Sequence, residues 1–182
     1  MLQAAAKGYG FAEVDVDLLP FIRDRLRGYL RDKQMRHDVV AAALADVDGD
    51  DIRLMAARTT ALEAFLSAPD GGGLLAGWRR VSSILAAEEK KADRNFVASF
   101  DPTLFNDVEN ALFTPLSKIP DSDAGVEAQL AALGLLRSPI DVFFEKIVVN
   151  DDDPEVRLNR LGLLAMIREK MLAVADFNKI EG

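Results

Sequence analysis

The chain has no cysteine, one histidine, one tryptophan and two tyrosines in 182 residues. The missing cysteine excludes disulfides and thiolate ligands and fits a reducing, cytoplasmic setting. With His37 as the sole histidine, a zinc site lacks ligands and no metal is expected. No Gly-x-Ser-x-Gly elbow gives that histidine a nucleophile to activate, so it is read as a capping or hydrogen-bonding residue. No apolar run approaches the roughly 20 residues a membrane span requires, and the opening MLQAAAKGYGF lacks the layout of a signal peptide. The acidic string Asp46–Asp51 fails as a calcium loop, because from Asp46 position six is Asp51 and position twelve is Ala57, where an EF-hand needs glycine and glutamate. Gly71-Gly72-Gly73 is not followed by Lys-Ser/Thr, so it is no P-loop, although glycines at a helix start could still offer N–H groups to a phosphate. Alternating strand patterns are also missing; Ile147-Val148-Val149 is too short to count.

What the chain does have is apolar residues, 49% of the total, enough for a substantial core, and a net charge of −8. That charge argues against a simple nucleic-acid binder, but it is unevenly spread. Asp101 to Asp153 holds 3 basic and 11 acidic residues, so the remainder balances; within it, Phe21 to Arg36 has six basic and two acidic residues. An acidic protein can hold RNA if its arginines share a surface.

The periodicity predicts an all-α bundle of about eight helices. Residues 1–16 read as a linking segment and 17–182 as one helical domain. Asp17 caps a helix over Leu18–Lys33 with Leu19, Ile22, Leu26 and Tyr29 inward; Arg23, Arg27 and Arg31 follow at i+4 on another face, either solvated or facing RNA. Further helices are expected from His37 to Ala45, Asp51 to Ser67 (Ile52, Met55, Leu62, Phe65 and Leu66 inward) and Leu74 to Lys91. A helix starting at Pro102 carries Leu104, Phe105, Val108, Leu112 and Phe113. Two more run from Ser122 to Leu136 and Ile140 to Val149. Trp78-Arg79-Arg80 could stack a base and hold its phosphate, though helical spacing equally fits a core tryptophan beside two solvated arginines.

The final helix is announced by Asp153 as N-cap and Pro154 at its first turn. Leu158, Leu161, Leu164, Ala165, Met171, Leu172 and Ala175 share one broad face. Arg157 and Arg168 fall inside that arc and Arg160 at its edge. Arginine is rarely buried unpaired, so these must meet carboxylates, helix-end carbonyls or a phosphate.

Asp153, Arg157, Arg160, Leu161, Leu163 and Leu164, spaced Asp-x-x-x-Arg-x-x-Arg-Leu-x-Leu-Leu, resemble the last helix of the DALR-type anticodon-binding domain. The longer string FFEKIVVNDDDPEVRLNRLGLLAMIREKMLAVADFNKIEG is similar to the C-terminus of the β subunit of the bacterial two-subunit glycyl-tRNA synthetase. Gly71–Leu85 and Asp17–Leu44 resemble earlier segments of that family, and the VADFNKIEG tail argues against the related arginine- and cysteine-specific domains. The resemblance covers nearly the whole chain, with Ala92 to Gly125 its least similar part, and implies that a full β subunit would continue upstream.

It further implies an anticodon-region recognition module for tRNA(Gly), in a heterotetramer of synthetase α subunits and complete β chains. The α subunit would use ATP and Mg to activate glycine. This fragment would have no catalytic residue and no cofactor of its own, and would be a monomer when isolated. The tRNA-binding candidates are Trp78, Arg79, Arg80, Lys146, Asn150, Arg157, Asn159 and Arg160. Arg157 and Arg160 have a structural alternative as partners of Asp141, Glu145 or Asp153. The rival reading is a helical protein–protein scaffold without RNA binding; a carboxylate-site enzyme built in the acidic 101–153 region is a third.

Overall fold

The computed structural model describes residues 18–45, 51–121 and 124–181. Eight α-helices and two 3-10 turns are found there, and no strand among the described residues. The helices are α1 (Leu18–Asp32), α2 (His37–Ala43), α3 (Ile52–Ser67), α4 (Pro69–Ala92), α5 (Asp107–Leu116), α6 (Val126–Gly134), α7 (Arg137–Lys146) and α8 (Pro154–Leu172). The 3-10 turns are Pro102–Leu104 and Phe177–Lys179. The fold is the expected all-α bundle. The linking segment at 1–16, the Asp17 cap and Asp46–Asp50 of the acidic string lie outside the described residues.

At 24 residues, about 36 Å, α4 is the longest element and the one around which the others pack. Leu74, Leu75, Trp78, Val81 and Leu85 recur every three to four residues on it and are all buried. They meet α3, α6, α7, α8 and the C-terminal turn. Its opening explains the glycine run without a phosphate. A β-carbon on Gly71 would stand 2.1 Å from the Phe65 carbonyl oxygen, and one on Gly73 would stand 2.2 Å from Arg137 Nε. The helix thus begins at Pro69 with its glycines pressed against neighbours, and only Gly72 has open space.

A smaller core lies under α1, α2 and α3, where Leu26, Leu30, Val40, Leu44 and Met55 meet. Here the structure corrects the α1 stripe, since Tyr29 is 57% exposed and Leu30 takes the inward place. Ile52, expected inward at the start of α3, is also exposed. Asp51 caps that helix, accepting from the Arg53 and Leu54 amides.

The expected helix from Pro102 is broken in two. Asn106 Oδ1 accepts from the amides of Val108 and Glu109, while Glu109 Oε2 accepts the Asn106 amide at 2.8 Å. This reciprocal capping box starts α5 afresh. The helix expected from Ser122 starts at Val126, after Gly125 at φ 88°, and is itself followed by α7 from Arg137 rather than Ile140. Ile147 leaves α7 extended, so Ile147–Val149 are not helical.

Helix α8 runs as expected from the Asp153 cap, whose carboxylate accepts the Glu155 amide. Leu161, Leu163, Leu164, Ala165, Ile167 and Met171 are buried, whereas Leu158 and Leu172 are exposed. Gly162 is its one glycine, where an added β-carbon would lie 2.1 Å from the Ser99 carbonyl oxygen, so the 93–100 loop crosses α8 there. The chain end then folds back over α2 and α4. Phe177 packs on Trp78, with ring centroids 6.2 Å apart, and the Asp176 amide donates to the Ala42 carbonyl. Asp38, buried at the start of α2, accepts the Glu181 amide at 2.8 Å and the Arg36 guanidinium.

Candidate nucleic-acid interface

The arginines of α8 meet carboxylates, as their place on the packing face requires. Arg160 Nε donates to Glu109 Oε1 at 2.7 Å, and its Nη1 reaches Asp151 Oδ2 at 2.6 Å and the Val148 carbonyl at 2.9 Å. Burial works against the charge, but the hydrogen bonds it donates to both carboxylates win and hold the guanidinium above its ordinary pKa. Arg168 Nη1 donates to Glu89 at 2.8 Å and its Nη2 to the Phe96 carbonyl, while Glu89 also accepts the Phe96 amide. Arg157 donates to Glu88. Glu88 is buried and also receives Lys91 Nζ at 2.7 Å and Asn150 Nδ2 at 3.4 Å. Hydrogen bonds from Lys91 and then Arg157 hold its carboxyl below the usual range.

The partners suggested by sequence for Arg157 and Arg160 were Asp141, Glu145 and Asp153. The actual partners are Glu88, Glu109 and Asp151. Two of the three sit on other helices, and the third lies in the turn before α8.

The other candidates do not converge on one surface. Trp78 is 1% exposed and offers no face to a base. Arg79 is exposed and reaches back to the Ile180 carbonyl at 3.4 Å, tying down the chain end. Arg80 leans the other way, over the Phe144 ring at 4.4 Å. Asn159 is buried and uses both ends of its amide on Asp101, accepting its N–H at 2.6 Å and donating to its carbonyl at 3.1 Å. It anchors a loop rather than presenting an edge to a base. Lys146 is exposed at the end of α7, and Asn150 is exposed beside Glu88.

Two adjoining hollows open beside the first turns of α8, of about 260 Å³ and about 290 Å³. They share Arg94, Phe96 and Leu158. Arg157 and Lys91 border the first, above a floor of Phe96 and Leu161. Arg94 is exposed and stands 5.3 Å over the Phe96 ring. Glu88 also lines the first hollow and is paired with Lys91 and Arg157, so the hollows combine apolar walls with one further cation, Arg94, at their shared edge, a setting that suits a flat aromatic ligand beside a negative group. Of the tRNA-binding candidates named from sequence only Arg157 lies here. Lys91, Arg94 and Phe96 were missed, although the charge-rich helix end Glu88–Arg94, followed closely by a phenylalanine, was a visible signal.

Among the described residues no cluster of histidine and carboxylate side chains could hold a metal ion. No helix there is long and apolar enough to cross a membrane. No protein-family model matches the chain.

Proposed function

We propose that this chain is an RNA-recognition module, the anticodon-region part of a glycine–tRNA ligase β subunit. It would support ATP-dependent glycylation of tRNA(Gly) by the α subunit without taking part in bond making. The sequence resemblance over three ordered segments and the tail motivates the reading. The structural observation that carries it is the pair of hollows beside α8, where Phe96 and Leu158 offer an apolar wall and Arg94 supplies positive charge at the edge, Lys91 and Arg157 there being paired with Glu88. An unstacked loop base fits against such a wall, and its phosphate meets the arginine at the edge. Arg157 keeps a half-buried place between Glu88 and the hollow, so it serves the fold and borders the site at once.

The scaffold reading draws on one observation of its own. Val97 and Leu158, which line these hollows, are 64% and 45% exposed, and exposed apolar residues in a groove also suit a partner helix. A gel-shift titration of the chain with glycine-specific and unrelated tRNA, at several salt concentrations, separates the two. The RNA reading expects binding that weakens by roughly 0.7 to 0.9 logarithmic units per neutralised phosphate for each tenfold rise in salt. It also expects Arg94→Ala to weaken that binding without changing the melt. No binding to either tRNA, or binding indifferent to salt, overturns it.

A further inference from the structure

Helix α1 carries a second feature, away from α8. Phe21 and Tyr29 are its exposed rings, with 55% and 57% of their surface open. Their spacing is eight residues, about 12 Å along the axis. Between and beyond them, at i+4 steps, sit Arg25 and Lys33. Arg25 Cζ stands 5.2 Å from the Phe21 centroid and Lys33 Nζ 5.6 Å from the Tyr29 centroid. Ring and cation thus repeat twice along one ridge, Phe21-Arg25-Tyr29-Lys33. Leu26 and Leu30, on the neighbouring face, hold the helix to α2 and α3, while the Phe21 and Tyr29 rings stay outside that core.

Two large exposed rings on one helix are not explained by packing, and their charge surroundings select the partner. From Phe21 to Lys33 there are five basic residues and two acidic, in a chain of net charge −8. One of those acids, Asp24, is already paired with Arg27 at 2.7 Å. Such a basic strip attracts an anionic partner, and the exposed rings beside its cations decide which kind. Stacking rings alternating with cations are the arrangement that holds a single strand, bases on the rings and phosphates on the cations. The 12 Å between the rings is about the length of three to four stacked nucleotides at roughly 3.4 Å each. We infer that the α1 ridge is a single-stranded RNA contact, recognising bases by stacking and phosphates by Arg25 and Lys33 without reading sequence. The choice of RNA rests on the proposed function; the location does not, since the ridge is distinct from the hollows at α8.

The test is fluorescence anisotropy of a labelled oligouridine of about ten nucleotides, long enough to cover both rings, against the parent, Phe21→Ala, Tyr29→Ala and the conservative Phe21→Tyr, with Arg94→Ala as the α8 comparison. Thermal melts confirm that each variant is folded. The expected result is oligouridine binding weakened at least about fivefold by either alanine, kept by Phe21→Tyr, and reduced further by salt. Parent and alanine variants binding alike overturns the inference. Binding of tRNA(Gly) without any binding of oligouridine also overturns it while leaving the α8 reading in place. Loss of self-association or of protein binding in the alanine variants, with RNA binding unchanged, reassigns the ridge to a protein contact and overturns it too.

Discussion

Arg160 Nε and Glu109 Oε1, 51 residues apart in sequence, are 2.7 Å apart and both buried. Through this one contact the final helix is fastened to the capping box of α5, because the same carboxylate that takes the guanidinium also closes the box on the Asn106 amide. Removing Arg160 would leave Glu109 charged in the interior and loosen the start of α5. The expected loss for Arg160→Ala is about 3 to 5 kcal/mol. Arg157→Ala should lose less, about 1 to 2 kcal/mol, because Glu88 keeps Lys91 and Asn150 and the Arg157 side chain is 39% exposed. Chemical denaturation of both variants checks the order; equal losses would refute it.

Glycine positions on the two long helices should respond in opposite directions. Gly162→Ala drives a methyl group into the Ser99 carbonyl, so the 93–100 loop must move, at a cost of about 1 to 3 kcal/mol. Gly72→Ala meets nothing within 4 Å inside α4 and should stabilise by about 0.5 to 1 kcal/mol. Paired thermal melts read both.

Acid should weaken the fold. Hydrogen bonds from Lys91 and Arg157 depress Glu88. At Asp38, burial pulls upward but Arg36 and the Glu181 and Val39 amides prevail and hold it low. The Asp153 amide and Arg160 depress Asp151. A carboxylate with a lowered folded pKa binds its proton more readily when unfolded. Its contribution is therefore complete above the unfolded values of 3.8 for Asp and 4.5 for Glu and is lost as pH falls below them. Denaturation midpoints should be flat from about pH 6 to 8 in respect of these groups and drop below about pH 4.5. Glu88→Gln should remove part of that drop, and an unchanged acid limb in this variant would show that Glu88 is not one of its sources.

Trp78 gives a direct contrast between core and interface. Its ring is buried against Phe177, so Trp78→Ala should cost about 3 to 5 kcal/mol. Arg94→Ala, at the edge of the hollows, should move stability by less than about 0.5 kcal/mol and act on RNA binding alone. A denaturation curve and a tRNA titration on both variants test this, and a stable Trp78→Ala chain that has lost tRNA would reverse the assignment.

The parts of the fold that were legible from sequence are those written in local signals. Asp153-Pro154 announced α8, and apolar spacing on α4 placed Trp78 among Leu75, Val81 and Leu85. Arginines on a packing face called for carboxylates, helix-end carbonyls or a phosphate, and the carboxylates of Glu88, Glu89 and Glu109 meet them. Which carboxylates was not legible, because the partners lie 51 to 79 residues away and no local pattern encodes that pairing. The break at Asn106 had a readable sign, Asn-x-x-Glu, outweighed by the apolar run from Leu104 to Phe113. Tyr29 looked inward because its spacing matched Leu26 loosely; Leu30, one position on, matches the small core better. The glycine run read as a loop or helix start with a phosphate site left open, and close approach of Phe65 and Arg137 accounts for the missing side chains. For the site, the residues named from sequence scatter: Trp78, Asn159 and Arg160 serve the interior, Arg79 and Arg80 lie exposed elsewhere, and only Arg157 borders the hollows. The hollows depend on how the 93–100 loop lies across α8, which only the folded chain reveals.

The bond from the Glu181 amide to Asp38 joins residues 143 apart. Bringing ends so distant together from an open coil costs about 3 kcal/mol more entropy than closing one helical turn. The contact is therefore expected to form late, after α2 and α4 have made the surface on which Phe177 and Ile180 settle. A bond made after the barrier is crossed does little for the speed of folding and much for the lifetime of the folded state. Cutting it, as in Asp38→Ala, should leave the refolding rate near that of the parent and hasten unfolding, so this last clasp acts as a brake on opening.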